Sequence, residues 1–148
     1  MLTAAEASRP AGDIYVLTDE DISKQAATAY RIRKASPDLL RAAFGTGKEE
    51  PISPPPQEIV DSGALFLSTA GPPFECMVFH CISHSDTGTV AELLLERMDA
   101  LRRQYRGSNE QAVIEKGQVV IAGKYVLLTV GERADSMIDA AFEAIRNP

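Results

Sequence analysis

Two pairs of apolar runs, each pair interrupted by turn residues, dominate the second half of the chain. Residues 64–68 and 74–82 read as strands joined tightly through Gly71-Pro72-Pro73, which makes a hairpin. Residues 113–121 and 125–130 repeat the arrangement around Ala122-Gly123-Lys124. After each pair the period changes from strand to helix. One helix is predicted over 89–106, with Thr89 and Glu92 spaced as a capping box. Another is predicted over 134–146, with Met137, Ile138, Ala141, Ala144 and Ile145 on one face. Strand-strand-helix, twice over, predicts an α+β fold. Its antiparallel sheet has four to five strands built from the two hairpins, with helices on one face.

The first third of the chain reads differently. Residues 13–18 suggest a short strand, and Thr18 followed by Asp19, Glu20 and Asp21 suits the amino end of a helix. Ile22, Ala26, Ala29 and Tyr30 supply that helix with a narrow apolar stripe. Ser36-Pro37-Asp38 starts a second short helix, capped by Ser36, and Gly45 ends it. Between Gly45 and Gln57 lie Gly47, Pro51, Pro54, Pro55 and Pro56, which neither a helix interior nor a central strand tolerates. This pattern divides the chain into an amino-terminal strand-helix arm with a proline-rich linker, residues 1–57, and a sheet domain, residues 58–148.

Composition narrows the function classes. The 148 residues are 45% apolar and 24% charged, the proportions of a globular chain with a real core. A net charge of -6 supplies no excess cation to displace phosphate counterions, so nucleic acid is not an expected partner. No apolar run approaches the roughly 20 residues of a membrane helix, so no transmembrane segment is expected. The two cysteines, Cys76 and Cys81, stand an odd number of positions apart on a predicted strand and would face opposite sides. They read as free buried thiols rather than a disulfide. Residues 1–7 carry no basic start, apolar stretch or lipid-acceptor cysteine. The sequence as given therefore reads as cytoplasmic, and as extracytoplasmic if a signal segment has been removed.

Few residues carry candidate chemistry. Cys76, His80, Cys81 and His84 all fall within nine positions and are ligand types for zinc or copper. Four-residue steps along a strand span roughly 13 Å, so Cys76 cannot share an ion with the histidines. His80, Cys81 and His84 converge only if the strand ends at Ile82 and turns back. The competing reading is a strand with buried thiols and histidines near its end. Arg97 stands in the middle of the apolar arc formed by Val90, Leu93, Leu94, Met98, Leu101 and Tyr105, and Gln104 lies on the same side. A guanidinium facing a sheet needs a partner. It is expected either to form a structural ion pair, with Glu75 the candidate, or to clamp a carboxylate or other anion in a groove between helix and sheet. Arg97, Gln104 and Glu75 are thus the candidate ligand-binding residues.

Other motifs have simpler explanations. Ser83-His84-Ser85-Asp86-Thr87-Gly88-Thr89 contains Ser, His and Asp, but near neighbours in one loop rarely converge as a triad, and helix capping accounts for them. Gly45-Thr46-Gly47-Lys48 lacks the strand before and helix after that a phosphate loop requires. Arg31, Arg33, Lys34 and Arg41 form a local basic patch, suited to anionic headgroups or an acidic partner, or simply to a solvated helix end.

From about residue 61 to 146 the chain resembles a domain of unknown function found mostly in lipoproteins and envelope proteins of Gram-positive bacteria. Phe74-Glu75-Cys76-Met77-Val78-Phe79 is similar to its acidic-then-apolar strand, and Leu94-Leu95-Glu96-Arg97-Met98 to its Leu-x-x-Arg helix. Gln104-Tyr105 is similar to the aromatic that follows, and Gly123-Lys124-Tyr125-Val126-Leu127-Leu128-Thr129-Val130 to its closing Gly-x-Tyr strand. The resemblance implies the same strand-strand-helix architecture and an envelope location, and it brings no established activity with it. The sequence reading is therefore a non-catalytic binding or interaction module without a cofactor, with a protein or small molecule as partner. A metal- or thiol-dependent protein using residues 76–84, and a unit that self-associates as a homodimer through an exposed sheet edge, are the alternatives.

Overall fold

The computed structural model describes residues 11–17, 32–70 and 74–131. In chain order the elements are β1 (Ala11–Val16), β2 (Ile32–Lys34), α1 (Pro37–Phe44), β3 (Val60–Ala70) and β4 (Glu75–Cys81). A 3-10 turn at His84–Asp86 then leads into α2 (Thr87–Gln104), α3 (Gln111–Glu115), β5 (Gln118–Ala122) and β6 (Tyr125–Val130). The strands form one sheet in the order β2-β1-β3-β4-β6-β5. Five of them run antiparallel to their neighbours, and short β2 is added parallel to β1 at the edge. The α+β fold with an antiparallel sheet is as expected. The sixth strand, β2, was not, because three residues carry no readable alternation.

Strand alternation builds two apolar faces. Leu65, Met77, Phe79, Cys81, Val126, Leu128 and Val130 belong to one buried cluster with Val90, Leu94, Met98 and Leu101 of α2. Each fully buried side chain of that kind stabilises the fold by about 1.5–3 kcal/mol, so the α2 interface is the main source of stability. The opposite face holds a second cluster of Ile14, Val16 and Phe66, with Ala64, Phe74 and Cys76 packed against it. The described helices lie on the first face.

Residues assigned to an arm belong to this same core. β1 pairs with β3 along six positions inside the sheet. Phe44 at the end of α1 is fully buried and packs its ring 6.1 Å from that of Phe79. The proline-rich stretch folds back as well. Gly47 N donates to Glu50 O, Ile52 N donates to Gly45 O, and Ile52 is buried in the α2 cluster. No break in packing marks residues 57 and 58. The short helix α1 is built as its sequence suggests: Ser36 Oγ accepts from Leu39 N at 3.1 Å, Pro37 opens it, and Gly45 leaves it at a φ of 72°.

Several predicted boundaries move: the first strand spans 11–16 and not 13–18, β3 spans 60–70 and not 64–68, and two further shifts bear on packing. Residues 111–115 form a helical turn instead of the start of a strand, so β5 begins only at Gln118. The turn buries Ile114 completely beneath α2. Helix α2 begins two residues before Thr89, and Thr89 makes no capping box. The turn ahead of it is capped by Ser83, whose Oγ accepts from Ser85 N, while Thr87 Oγ1 donates to His84 O at 2.8 Å. The helix predicted after Thr18, the connection at Gly71-Pro72-Pro73 and the helix predicted over 134–146 lie outside the described residues.

Candidate functional site

Glu75 is the first residue of β4, and the strand's alternation turns it toward α2 along with Met77, Phe79 and Cys81. Arg97 is on the facing side of α2, so the two side chains meet across the helix–sheet interface. Arg97 Nε donates to Glu75 Oε2 at 3.0 Å and Nη2 donates to Glu75 Oε1 at 2.9 Å. Only 14% of the arginine side chain and 10% of the glutamate side chain are exposed. This two-point geometry fixes the guanidinium plane. The third nitrogen, Nη1, is directed at Phe44 O from 3.5 Å, too long to saturate it.

The pair sits in the wall of a cleft of about 250 Å³. Ala43, Leu67, Phe74, Leu101 and Val130 give the cleft its apolar surface, and Ser68, Gln104 and Tyr105 add polar groups. Ser68 Oγ accepts from Phe74 N at 3.3 Å, which leaves its hydroxyl hydrogen to donate. All three residues expected to bind a ligand, Glu75, Arg97 and Gln104, therefore line one opening. The ion pair expected for Arg97 forms: one edge of the guanidinium is committed to Glu75, and Nη1 lies against Phe44 O and Gly45 at the end of α1. The contributions of Ala43 and Phe44 are not visible in a pattern that places α1 in an amino-terminal arm. The apolar Ala42-Ala43-Phe44 at the end of a capped helix was the available signal.

The candidate metal ligands are not brought together. Cys81 is buried on the α2 face of β4, and His80 is on the other face. His84 is exposed in the 3-10 turn beyond. Among the described residues no group of three His, Cys, Asp or Glu side chains is placed to hold a metal ion. His80 instead places Nδ1 2.6 Å from Asp61 Oδ1 and its ring edge-on to Tyr125, with centroids 4.8 Å apart. Asp61 lies where the β3–β4 register shifts, and that irregularity aims its carboxylate at His80. Sequence spacing gave no sign of this contact, which depends on the shift.

The thiols are poorly suited to nucleophilic work. Burial pushes the Cys76 thiol up to about 12, and the charge of adjacent Glu75 adds to the effect. The Cys81 thiol is also raised, first by burial and then by Asp86 and Asp61. Thiolate is the reactive form, so both groups stay protonated and unreactive near neutral pH. In the basic patch, Arg41 forms an ion pair with Asp38 one turn away, and Lys34 is exposed. The side chains of Arg31 and Arg33 lie outside the described residues. Gly45-Thr46-Gly47-Lys48 is a tight turn closed by pairing of Thr46 with Pro51, with no helix following it. No described helix is long and apolar enough to cross a membrane.

No family model matches the chain, and neither a curated protein nor a solved structure is matched by it.

Proposed function

We propose that the chain is a non-catalytic binding module whose ligand enters the cleft beside the Arg97–Glu75 pair. The observation that carries this reading is the half-used guanidinium. Its Nε and Nη2 are held by Glu75, Nη1 has only a long 3.5 Å contact to Phe44 O, and Arg97 lines an opening together with Gln104 and Ser68. Glu75 neutralises the arginine, so the cleft attracts no ion by net charge. Its spare groups are hydrogen-bond donors set among apolar side chains. The fitting occupant is a compact apolar group carrying one carbonyl or carboxylate oxygen. A cleft of about 250 Å³ is below the usual range for drug-sized ligands, which suits a group no larger than one amino-acid side chain. The resemblance to envelope domains of Gram-positive bacteria supports display at the cell envelope.

Backbone NMR spectra of the protein with a set of small aromatic and aliphatic acids and amides test the reading. Hits are expected to shift Leu67, Ser68, Arg97 and Gln104 together, and Gln104→Ala is expected to weaken them several-fold without altering the fold. Hits that map only elsewhere, or none in the set, would exclude the cleft as the binding site. No observation favours the metal- or thiol-dependent alternative.

A further inference from the structure

We infer that the outer edge of β5 is a self-pairing surface, to which a second copy of this chain adds its own β5 antiparallel about a two-fold axis through Val120. β5 ends the sheet, and among the described residues its only strand partner is β6. Which of its backbone groups face outward follows from the neighbouring ladder. Cys81 N donates to Lys124 O at 2.7 Å, so the Lys124 carbonyl is turned toward β4. Alternation then turns the backbone groups of Tyr125, Leu127 and Thr129 toward β5, where their register partners are Ala122, Val120 and Gln118. Val119 and Ile121 are left with N–H and C=O groups pointing away from the sheet.

The two edges of the sheet differ in how they are guarded. The far edge, β2, is three residues long and two of them are Arg33 and Lys34, a short basic strand that resists pairing. β5 reads Gln-Val-Val-Ile-Ala, with neither charge nor proline, and Ile121 is a large apolar side chain left 49% exposed. Its sequence is self-complementary in the register centred on Val120. With Val120 opposite Val120, Val119 of each copy faces Ile121 of the other. Those are the two positions with outward backbone groups, so about four interchain hydrogen bonds form. Val119 packs on the α2 side of the sheet, and the parity of the strand places Ile121 there too. Each exposed Ile121 is thereby covered by a β-branched neighbour, a favourable cross-strand pair. An unrelated extended strand would satisfy the backbone without this side-chain match, so a second copy is the occupant the edge fits.

Sedimentation of the full chain from about 10 µM to about 1 mM, a range suited to a small interface, should show a monomer–dimer equilibrium. Ile121→Lys, and Val119→Pro, which removes an outward N–H and leaves the β6 ladder intact, should each weaken it at least ten-fold, with melting curves reporting the fold. Val120→Cys should give a covalent dimer under mild oxidation, since residues opposed in a non-hydrogen-bonded pair have Cα atoms about 4.5 Å apart. Ile121→Cys should not, because its own copy lies two positions out of register. A wild-type chain that stays monomeric throughout overturns the inference, as does a dimer indifferent to Ile121→Lys. Equal cross-linking at 120 and 121 would do so as well, and so would a monomer that captures only foreign β-strand peptides.

Discussion

Replacing Arg97 with methionine keeps much of the side-chain volume and removes the charge. The Glu75 carboxylate would then be left almost buried, with both of its close donors gone. Breaking a buried pair by removing one partner typically costs 3–5 kcal/mol, and the residual 10–14% exposure of these side chains puts the expected loss near the lower end, about 3 kcal/mol. For a chain of this length each kcal/mol lowers Tm by about 2–4 °C, so a drop of about 6–12 °C is expected. Glu75→Leu strands the guanidinium in the same way and should cost a similar amount. The double variant should recover most of the loss, because an apolar pair of like volume meets no desolvation cost. Thermal and urea unfolding of the four proteins form a double-mutant cycle; with single losses of about 3 kcal/mol each and a double variant down by about 1 kcal/mol, the coupling is about 5 kcal/mol. Single variants that each lose under about 1 kcal/mol, with additive effects, would show instead that the pair is solvated and contributes little.

Three further outcomes follow from buried groups. Thr129 Oγ1 is buried with no hydrogen-bond partner among the described residues, so Thr129→Val should raise stability by about 1 kcal/mol in urea unfolding. A Cβ at Gly63 would sit 2.8 Å from Val78 O, a backbone atom that cannot move aside, so Gly63→Ala should cost about 1–3 kcal/mol in the same assay. The Cys76 thiol titrates at 9.0 when unexposed to the fold and at about 12 within it, so above pH 9 the unfolded chain releases a proton that the native chain keeps. Stability should therefore fall between pH 9 and about 12, by about 1.4 kcal/mol per pH unit for that thiol, with Cys81 adding in the same direction. A flat alkaline stability profile, or rapid thiol labelling of the native protein at pH 8, would contradict the burial.

The parts of the fold legible in the sequence are those whose signal is local. Ser36, Pro37 and Gly45 each act on the backbone beside them, and α1 starts and stops where they stand. The β3–β4 hairpin and the inward face of Arg97 follow from periods of two and 3.6. The misreadings have a common physical cause. Val113 and Ile114 suit a strand or a helical turn equally, and the choice was made by the space under α2 that Ile114 fills. Gly117 belongs to the same solution, since a Cβ there would meet Met98 Cε at 2.5 Å. Prolines at 51 and 54–56 do exclude regular structure, but they do not exclude packing, and Ile52 among them is buried. The cleft was half legible. Glu75, Arg97 and Gln104 stand out as polar groups on apolar faces, whereas Ala43, Ser68 and Phe74 become part of it only through the meeting of α1, β3 and α2.

A ligand in the cleft would take up the hydrogen-bonding capacity that Arg97 Nη1 has left beyond its long contact to Phe44 O. The most direct measurement of this is the nitrogen NMR signal of that guanidinium, in arginine-labelled protein, during titration with the strongest hit from the acid and amide set. Nη1 is expected to shift and saturate with the same Kd as the backbone signals of Ser68 and Gln104, while the Nε signal, held by Glu75, stays nearly fixed. Saturation of the backbone signals with an unmoved Nη1 would contradict this.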